Sequence, residues 1–154
     1  EKLALTGDPK KYPFHSALNS SAEEADFSFS GIKTAVVNLM HNAAQKGETL
    51  SRADIAASFQ RAVCDTLTLK AVHAAKEHGF NTLALAGGVS ANRALRSSLA
   101  RACEEQGIRF CCPDFRYCTD NAAMIACAGH YALMAGALSG LDLNAAPELP
   151  LVQR

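Results

Sequence analysis

At 154 residues the chain suits one domain, or one lobe of a larger protein, and is long enough to bury a core. Hydrophobic residues make up 49% and charged residues 19%, a globular balance that argues against a disordered chain. Lys plus Arg and Asp plus Glu both number 15, so no overall field draws nucleic acid or an anionic membrane, although a local basic patch stays open.

Residues 1–25 read as an irregular connection, broken by Gly7, Asp8, Pro9, Pro13 and the run "NSSAEE". In "DFSFSG", Asp26 to Gly31, Phe alternates with Ser, which predicts a short strand ending at Gly31. A helix follows, with Ile32, Val36, Leu39, Met40 and Ala43 on one face and Gly47 as its stop. The next helix opens on Ser51 as N-cap, with Asp54 where the helix dipole favours an acid. Its stripe of Ile55, Phe59, Val63, Leu67, Ala71 and Ala75 ends at His78-Gly79, a run of roughly 40 Å. From Thr82 to Pro113 the pattern is one βαβ unit. "TLALA" is an apolar strand, Asn92 to Gln106 a helix with Leu95, Leu99 and Cys103 inward, and "IRFCC" a strand stopped by Pro113. The last helix is opened by Thr119-Asp120-Asn121 and is apolar nearly all round, which predicts burial, with His130 as a satisfied core residue. Residues 137–154, with Pro147 and Pro150, read as an irregular tail.

Six cysteines show no C-x-x-C pair and no zinc-finger spacing to a histidine. Reduced thiols in a cytoplasmic protein are therefore expected. No apolar run reaches the roughly 20 residues of a membrane span, and no secretory leader opens the chain, so a soluble protein is expected. The absence of an initiator Met fits a piece of something longer. His15, His41, His73, His78 and His130 form no H-x-x-x-H or H-E-x-x-H pair, and Ser90 lies in no G-x-S-x-G elbow. Lys10, Lys11, Lys33, Arg93 and Arg96 could touch phosphates, but scattered bases ordinarily form solvated surface.

Two places look chemical. In "LAGGVSANRAL" a strand ends at Gly87-Gly88 and a helix begins near Asn92, a layout that serves an ordinary βα turn or an anion contact. In Thr119-Asp120-Asn121, three residues able to cap a helix exceed what one helix end requires, so Asp120 is either a cap or a ligand. Both places follow candidate strands at the end where open α/β sheets bind ligands. One carboxylate cannot hold a transition metal by itself, so any metal must draw further ligands from outside this chain.

"DFSFSGIKTAV", "LALAGGVSANRALR" and "CTDNAAMIACAG", in this order and spacing, resemble the C-terminal part of the tRNA N6-adenosine threonylcarbamoyltransferase family, formerly labelled the O-sialoglycoprotein endopeptidase or glycoprotease family. The likeness runs from about Lys10 to Gly136. It implies an α/β fold, the C-terminal lobe of an actin/Hsp70/sugar-kinase-like (ribonuclease-H-like) architecture, spanning 26–136 with a helical insertion at about 31–79. It implies transfer of a threonylcarbamoyl group from threonylcarbamoyl-adenylate to N6 of the adenosine 3′ of the tRNA anticodon.

The resemblance also implies one divalent metal, iron before zinc, held by Asp120 and by two histidines of an H-x-x-x-H motif that this chain lacks. Asn92 would contact the substrate, with Gly87 and Gly88 bordering the adenylate. The partners implied are tRNA, threonylcarbamoyl-adenylate, a paralogous subunit of the same fold and an ATPase subunit, with no membrane. Family members run to roughly twice this length, so this chain alone is expected to be inactive. Two alternatives stand: a non-catalytic paralogous scaffold subunit, which has no need of Asp120 or Asn92, and a related carbamoyltransferase with another acceptor.

Overall fold

A computed structural model describes residues 1–14 and 26–146. The chain divides into two compact units, Glu1–Thr119 and Asp120–Arg154. His15, the "NSSAEE" run, Pro147 and Pro150 lie outside the described residues.

The first unit is built around α2, Arg52–Glu77, whose 26 residues extend ~39 Å. Its start is fixed as the sequence predicts: the Ser51 hydroxyl accepts from the Asp54 amide at 3.2 Å. Against the first turns of α2 lies a 3-10 helix, Lys2–Thr6, where the sequence suggests only irregular chain. The Asp8 amide donates to Asp54 Oδ1 at 2.8 Å, and the buried Ser58 hydroxyl donates to the Asp8 carbonyl at 3.1 Å. These bonds fix the chain at Asp8, directly after the 3-10 helix, through partners far away in sequence, which local propensity does not display.

Gly7 fits there because it has no side chain. A Cβ at Gly7 would fall 2.0 Å from the Ala53 carbonyl oxygen, inside the backbone of α2. Gly7→Ala is therefore expected to lower the unfolding free energy by about 1–3 kcal/mol, the usual cost of overpacking. Urea unfolding with an unchanged midpoint would contradict the contact.

α1, Ser30–Lys46, buries Ile32 and Ala43 and is closed by Gly47. The strand expected over Asp26–Gly31 does not form. Residues 26–29 are irregular and Ser30 already belongs to α1. Phe27 and Phe29, which a strand would place on one face of a sheet, stack on each other at 6.0 Å with 8° between ring planes. An alternating pattern makes a strand only when a neighbouring edge is available. Here the segment is instead held by the buried Lys70 of α2, whose Nζ donates to the Asp26 carbonyl at 2.5 Å.

The βαβ reading holds. β1, Thr82–Ala84, and β2, Arg109–Cys111, pair in parallel with Leu83 opposite Phe110, and α3, Arg93–Glu105, connects them. Both strands are shorter than the five-residue runs the sequence suggests, although Leu85 still donates to the Cys111 carbonyl. Leu83 and Phe110 face Val72 and Ala75 of α2, Cys103 of α3 and Ile108, while Thr82 and Ala84 stay exposed. A second cluster joins Cys64 of α2 to Leu95 and Leu99 of α3. The fold shown is thus α/β: helices on a small parallel sheet.

The stripe Phe59, Val63, Leu67 and Ala71 is only partly covered. With Leu83, Leu95 and others it lines an open apolar groove of about 720 Å³. No helix among the described residues is long and apolar enough to cross a membrane.

All six cysteines are free thiols. Burial pushes the Cys64 thiol up to about 11, with the Asp65 and Glu1 carboxylates adding. The folded thiol keeps its proton above the ordinary value of 9.0 at which the unfolded one loses it. Stability from this group is therefore whole below pH ~9 and declines between pH ~9 and ~11, by about 2–3 kcal/mol in all. The Cys64→Ala variant should lack that portion of the alkaline loss. Unfolding free energies with parallel pH slopes in the two proteins would refute it.

The second unit holds α4, Ala122–Met134. The expected burial is not found: every residue of α4 is exposed, Ile125 at 67% and Tyr131 at 69%. His130 is exposed too, set edge-on to Tyr131 at 5.6 Å, and so is not a core residue. Apolar composition states that a helix needs a cover. It does not supply one, and α4 is the sole regular element described in its unit. Residues 137–146 carry no helix or strand.

Candidate functional site

β1 ends in the turn that carries three of the predicted site residues. Gly87 has φ 81°, a left-handed conformation in which any side chain would be strained. Gly88 follows in a short 3-10 turn, Gly88–Ala91, and a Cβ on it would meet nothing within 4 Å, so its backbone stands open to an approaching group. Asn92 closes the turn and caps α3: its Oδ1 accepts from the Leu95 amide at 2.9 Å and its Nδ2 donates to Gln60 Oε1 at 3.1 Å. Gly87, Gly88 and Asn92 are thus brought together at the N-terminus of α3, where the helix dipole favours an anion and the Arg93 amide already donates to the Glu1 carboxylate at 3.0 Å. Within the turn Ser90 is fully buried, and its hydroxyl has no partner among the described residues.

The loop after β2 is tied to this turn by one side chain. Arg96 Nε donates to the Ser90 carbonyl at 2.5 Å and its Nη2 to the Pro113 carbonyl at 2.6 Å. The same guanidinium reaches the Cys118 sulfur at 3.0 Å and the Cys112 sulfur at 3.4 Å, and lies 4.1 Å from the centre of the Phe115 ring. Arg93, the other base on this helix end, stands 5.6 Å from the same ring. Arg96 is thus not the solvated surface base that scattered spacing suggests, whereas Arg93 is exposed. Sequence reading treats Arg96 as one base among several and passes over Gln60 entirely. The signal was present for Arg96: it sits one helical turn beyond the capping Asn92.

Asp120 opens the second unit. The cap of α4 is Asn121, whose Oδ1 accepts from the Met124 amide at 3.0 Å. The Asp120 side chain is exposed and makes no hydrogen bond or ion pair among the described residues. Of the two readings its position allows, the capping role is taken by its neighbour. No group of three His, Cys, Asp or Glu residues among the described residues could hold a metal ion.

The family of tRNA N6-adenosine threonylcarbamoyltransferases matches residues 1–127. The chain belongs to this family. Among curated relatives, the tRNA N6-adenosine threonylcarbamoyltransferase of Caldicellulosiruptor saccharolyticus is 46% identical over 154 residues, all of this chain and 45% of the relative. That of Moorella thermoacetica is 46% identical over 98% of this chain and 44% of its own length. That of Clostridium botulinum strain 657 is 42% identical over all of this chain and 45% of its own length. The chain spans less than half the length of these threonylcarbamoyltransferases and matches a C-terminal portion of them. The family match begins ahead of Lys10, where the motifs alone suggest the likeness starts, and it takes in the Gly87–Asn92 turn, Arg96 and Asp120.

Proposed function

We propose that this chain is the C-terminal lobe, actin-like in architecture, of a metal-dependent transferase. It moves a threonylcarbamoyl group from threonylcarbamoyl-adenylate to N6 of the adenosine 3′ of the tRNA anticodon. The observation that carries this reading beyond family membership is the state of Asp120: its carboxylate is exposed and unspent, while Asn121 caps α4.

The donor set fits a shared metal site and not a private one. Asp120 offers one hard oxygen, and the remaining ligands, two histidines, would come from sequence outside this chain. A divalent ion held there, iron in preference to zinc, would supply Lewis-acid stabilisation of the carbonyl oxygen as charge builds on it.

The chain's own residues do the rest. Gly87 and Gly88 allow backbone amides close to the adenylate phosphate, and the N-terminus of α3 favours its negative charge. Asn92 orients the substrate from a position fixed by its bonds to Leu95 and Gln60. In the transfer, the adenosine N6 forms a bond to the carbamoyl carbon and the bond from that carbon to the phosphate oxygen breaks. AMP leaves, and the amine gives up a proton. The setting is cytoplasmic, with tRNA and the adenylate as substrates and a paralogous subunit and an ATPase subunit as partners.

The test is transfer by the full-length protein, given threonylcarbamoyl-adenylate with unmodified tRNA or with small-molecule acceptors. N6-threonylcarbamoyladenosine should appear in nucleoside digests of the tRNA. Product on a small molecule alone would overturn the tRNA reading. The 154-residue chain by itself should transfer nothing, and should bind iron or zinc no better than its Asp120→Ala variant.

A further inference from the structure

We propose that Arg96 is a positioning residue for the adenylate: it holds the Gly87–Asn92 turn in its binding shape by anchoring it to the loop after β2. The proposal rests on the threonylcarbamoyl-transfer reading above.

The topology explains why such an anchor is needed. β1 and β2 run parallel, so the segments that leave their C-terminal ends emerge side by side. Neither segment continues the ladder: one enters a glycine turn and the other meets Pro113. The Ser90 and Pro113 carbonyls must therefore find donors off the ladder. Arg96 supplies them. Its Nε takes the Ser90 carbonyl in the turn, and its Nη2 takes the Pro113 carbonyl in the loop. The thiols of Cys112 and Cys118 and the ring of Phe115 complete the surround.

Five donors in a rigid planar fork suit that geometry, and a lysine ammonium on a flexible stem does not. Among the described residues no carboxylate pairs with Arg96, so the backbone of the two segments is its principal partner. Two backbone bonds close the turn locally, Ser90 amide to Gly87 carbonyl and Asn92 amide to Val89 carbonyl, both 2.9 Å, but neither ties it to the loop after β2. Gly87 is conformationally free, Gly88 touches nothing through its missing Cβ, and the buried Ser90 hydroxyl makes no bond among the described residues. Without the guanidinium, the Ser90 carbonyl at the centre of the turn loses its side-chain donor among the described residues.

A residue that served stability alone would change how much protein folds and leave the folded enzyme's substrate preference as it was. The experiment therefore compares the full-length protein with its Arg96→Lys variant in steady-state transfer. Circular dichroism reports folding, and iodoacetamide labelling reports the buried Cys118 thiol. The expected result is a folded Arg96→Lys protein whose KM for threonylcarbamoyl-adenylate rises at least tenfold. Its KM for tRNA stays within twofold, and its Cys118 labels at least tenfold faster.

If Arg96→Lys does not fold, Phe115→Leu removes only the ring beneath the guanidinium, and a rise of at least threefold in the same KM is expected. An adenylate KM within twofold of the unsubstituted value in a folded variant overturns the proposal, whatever the thermal midpoint does. An unsubstituted full-length protein that transfers nothing to tRNA would instead sink the functional reading, so the two failures are distinct.

Discussion

Asp120→Ala in the full-length protein is expected to abolish stoichiometric metal binding and to reduce threonylcarbamoyl transfer at least ~100-fold. The loss of an outer-shell partner alone costs 10–100-fold in metal affinity or activity, and Asp120 is proposed as a direct ligand. The fold should be untouched. The side chain is exposed, makes no hydrogen bond or ion pair among the described residues, and does not cap α4. Exposed substitutions of this kind stay within about 0.5 kcal/mol, and loss of a negative charge near a helix start adds a few tenths.

Asn121→Ala supplies the contrast. It removes the bond to the Met124 amide and should cost about 1 kcal/mol of stability, with metal retained. Metal content by elemental analysis, set beside thermal unfolding, separates the two residues. An Asp120→Ala protein that kept stoichiometric metal would show the ligand assignment to be wrong.

The second large effect concerns Asn92, which the structure gives two structural duties as well as its proposed contact. Asn92→Asp separates them. An aspartate Oδ still accepts from the Leu95 amide, and an acid suits the N-terminus of α3, so the cap survives. What disappears is the Nδ2 donor that now meets Gln60, and a negative charge arrives where an adenylate phosphate is expected. Stability should change by less than about 0.5 kcal/mol while KM for threonylcarbamoyl-adenylate rises at least tenfold, about 1.4 kcal/mol or more. Asn92→Ala would lose stability and affinity together and so could not tell capping from contact. A stable Asn92→Asp protein with an unaltered KM would leave Asn92 as a helix cap and nothing further.

Local signals carried much of this structure. Ser51 before Asp54 marked the start of α2, and the Leu95, Leu99 and Cys103 period marked the inner face of α3. The apolar runs at Thr82 and Ile108 located both strands. Each depends on residues close together in the chain, which is what a sequence displays. What escaped depends on distant partners. Asp8, just after the Lys2–Thr6 turn, is held by Asp54 and Ser58, 46 and 50 residues away. The Phe-Ser alternation at Asp26–Gly31 has the strand period yet no edge to join, and Lys70 binds it instead. The apolar body of α4 announced a need for cover that its own unit does not meet.

At the candidate site, residue type was legible and role was not. Three adjacent capping residues were plain in the sequence, but only the bond from Met124 to Asn121 shows which one caps. Arg96 looked like any surface base because its partners, Ser90, Pro113 and Cys118, lie 6, 17 and 22 residues off and include two carbonyls that no sequence pattern reveals.

The central claim is that the Asp120 carboxylate completes a coordination shell begun by residues outside this chain. A crystal structure of the full-length protein, with anomalous scattering recorded at the iron and zinc edges, tests it most directly. The claim predicts an ion with an Asp120 carboxylate oxygen at about 2.0–2.2 Å and two histidine nitrogens beside it. An Asp120 side chain turned onto the amides that open α4, with any bound ion elsewhere, would contradict it.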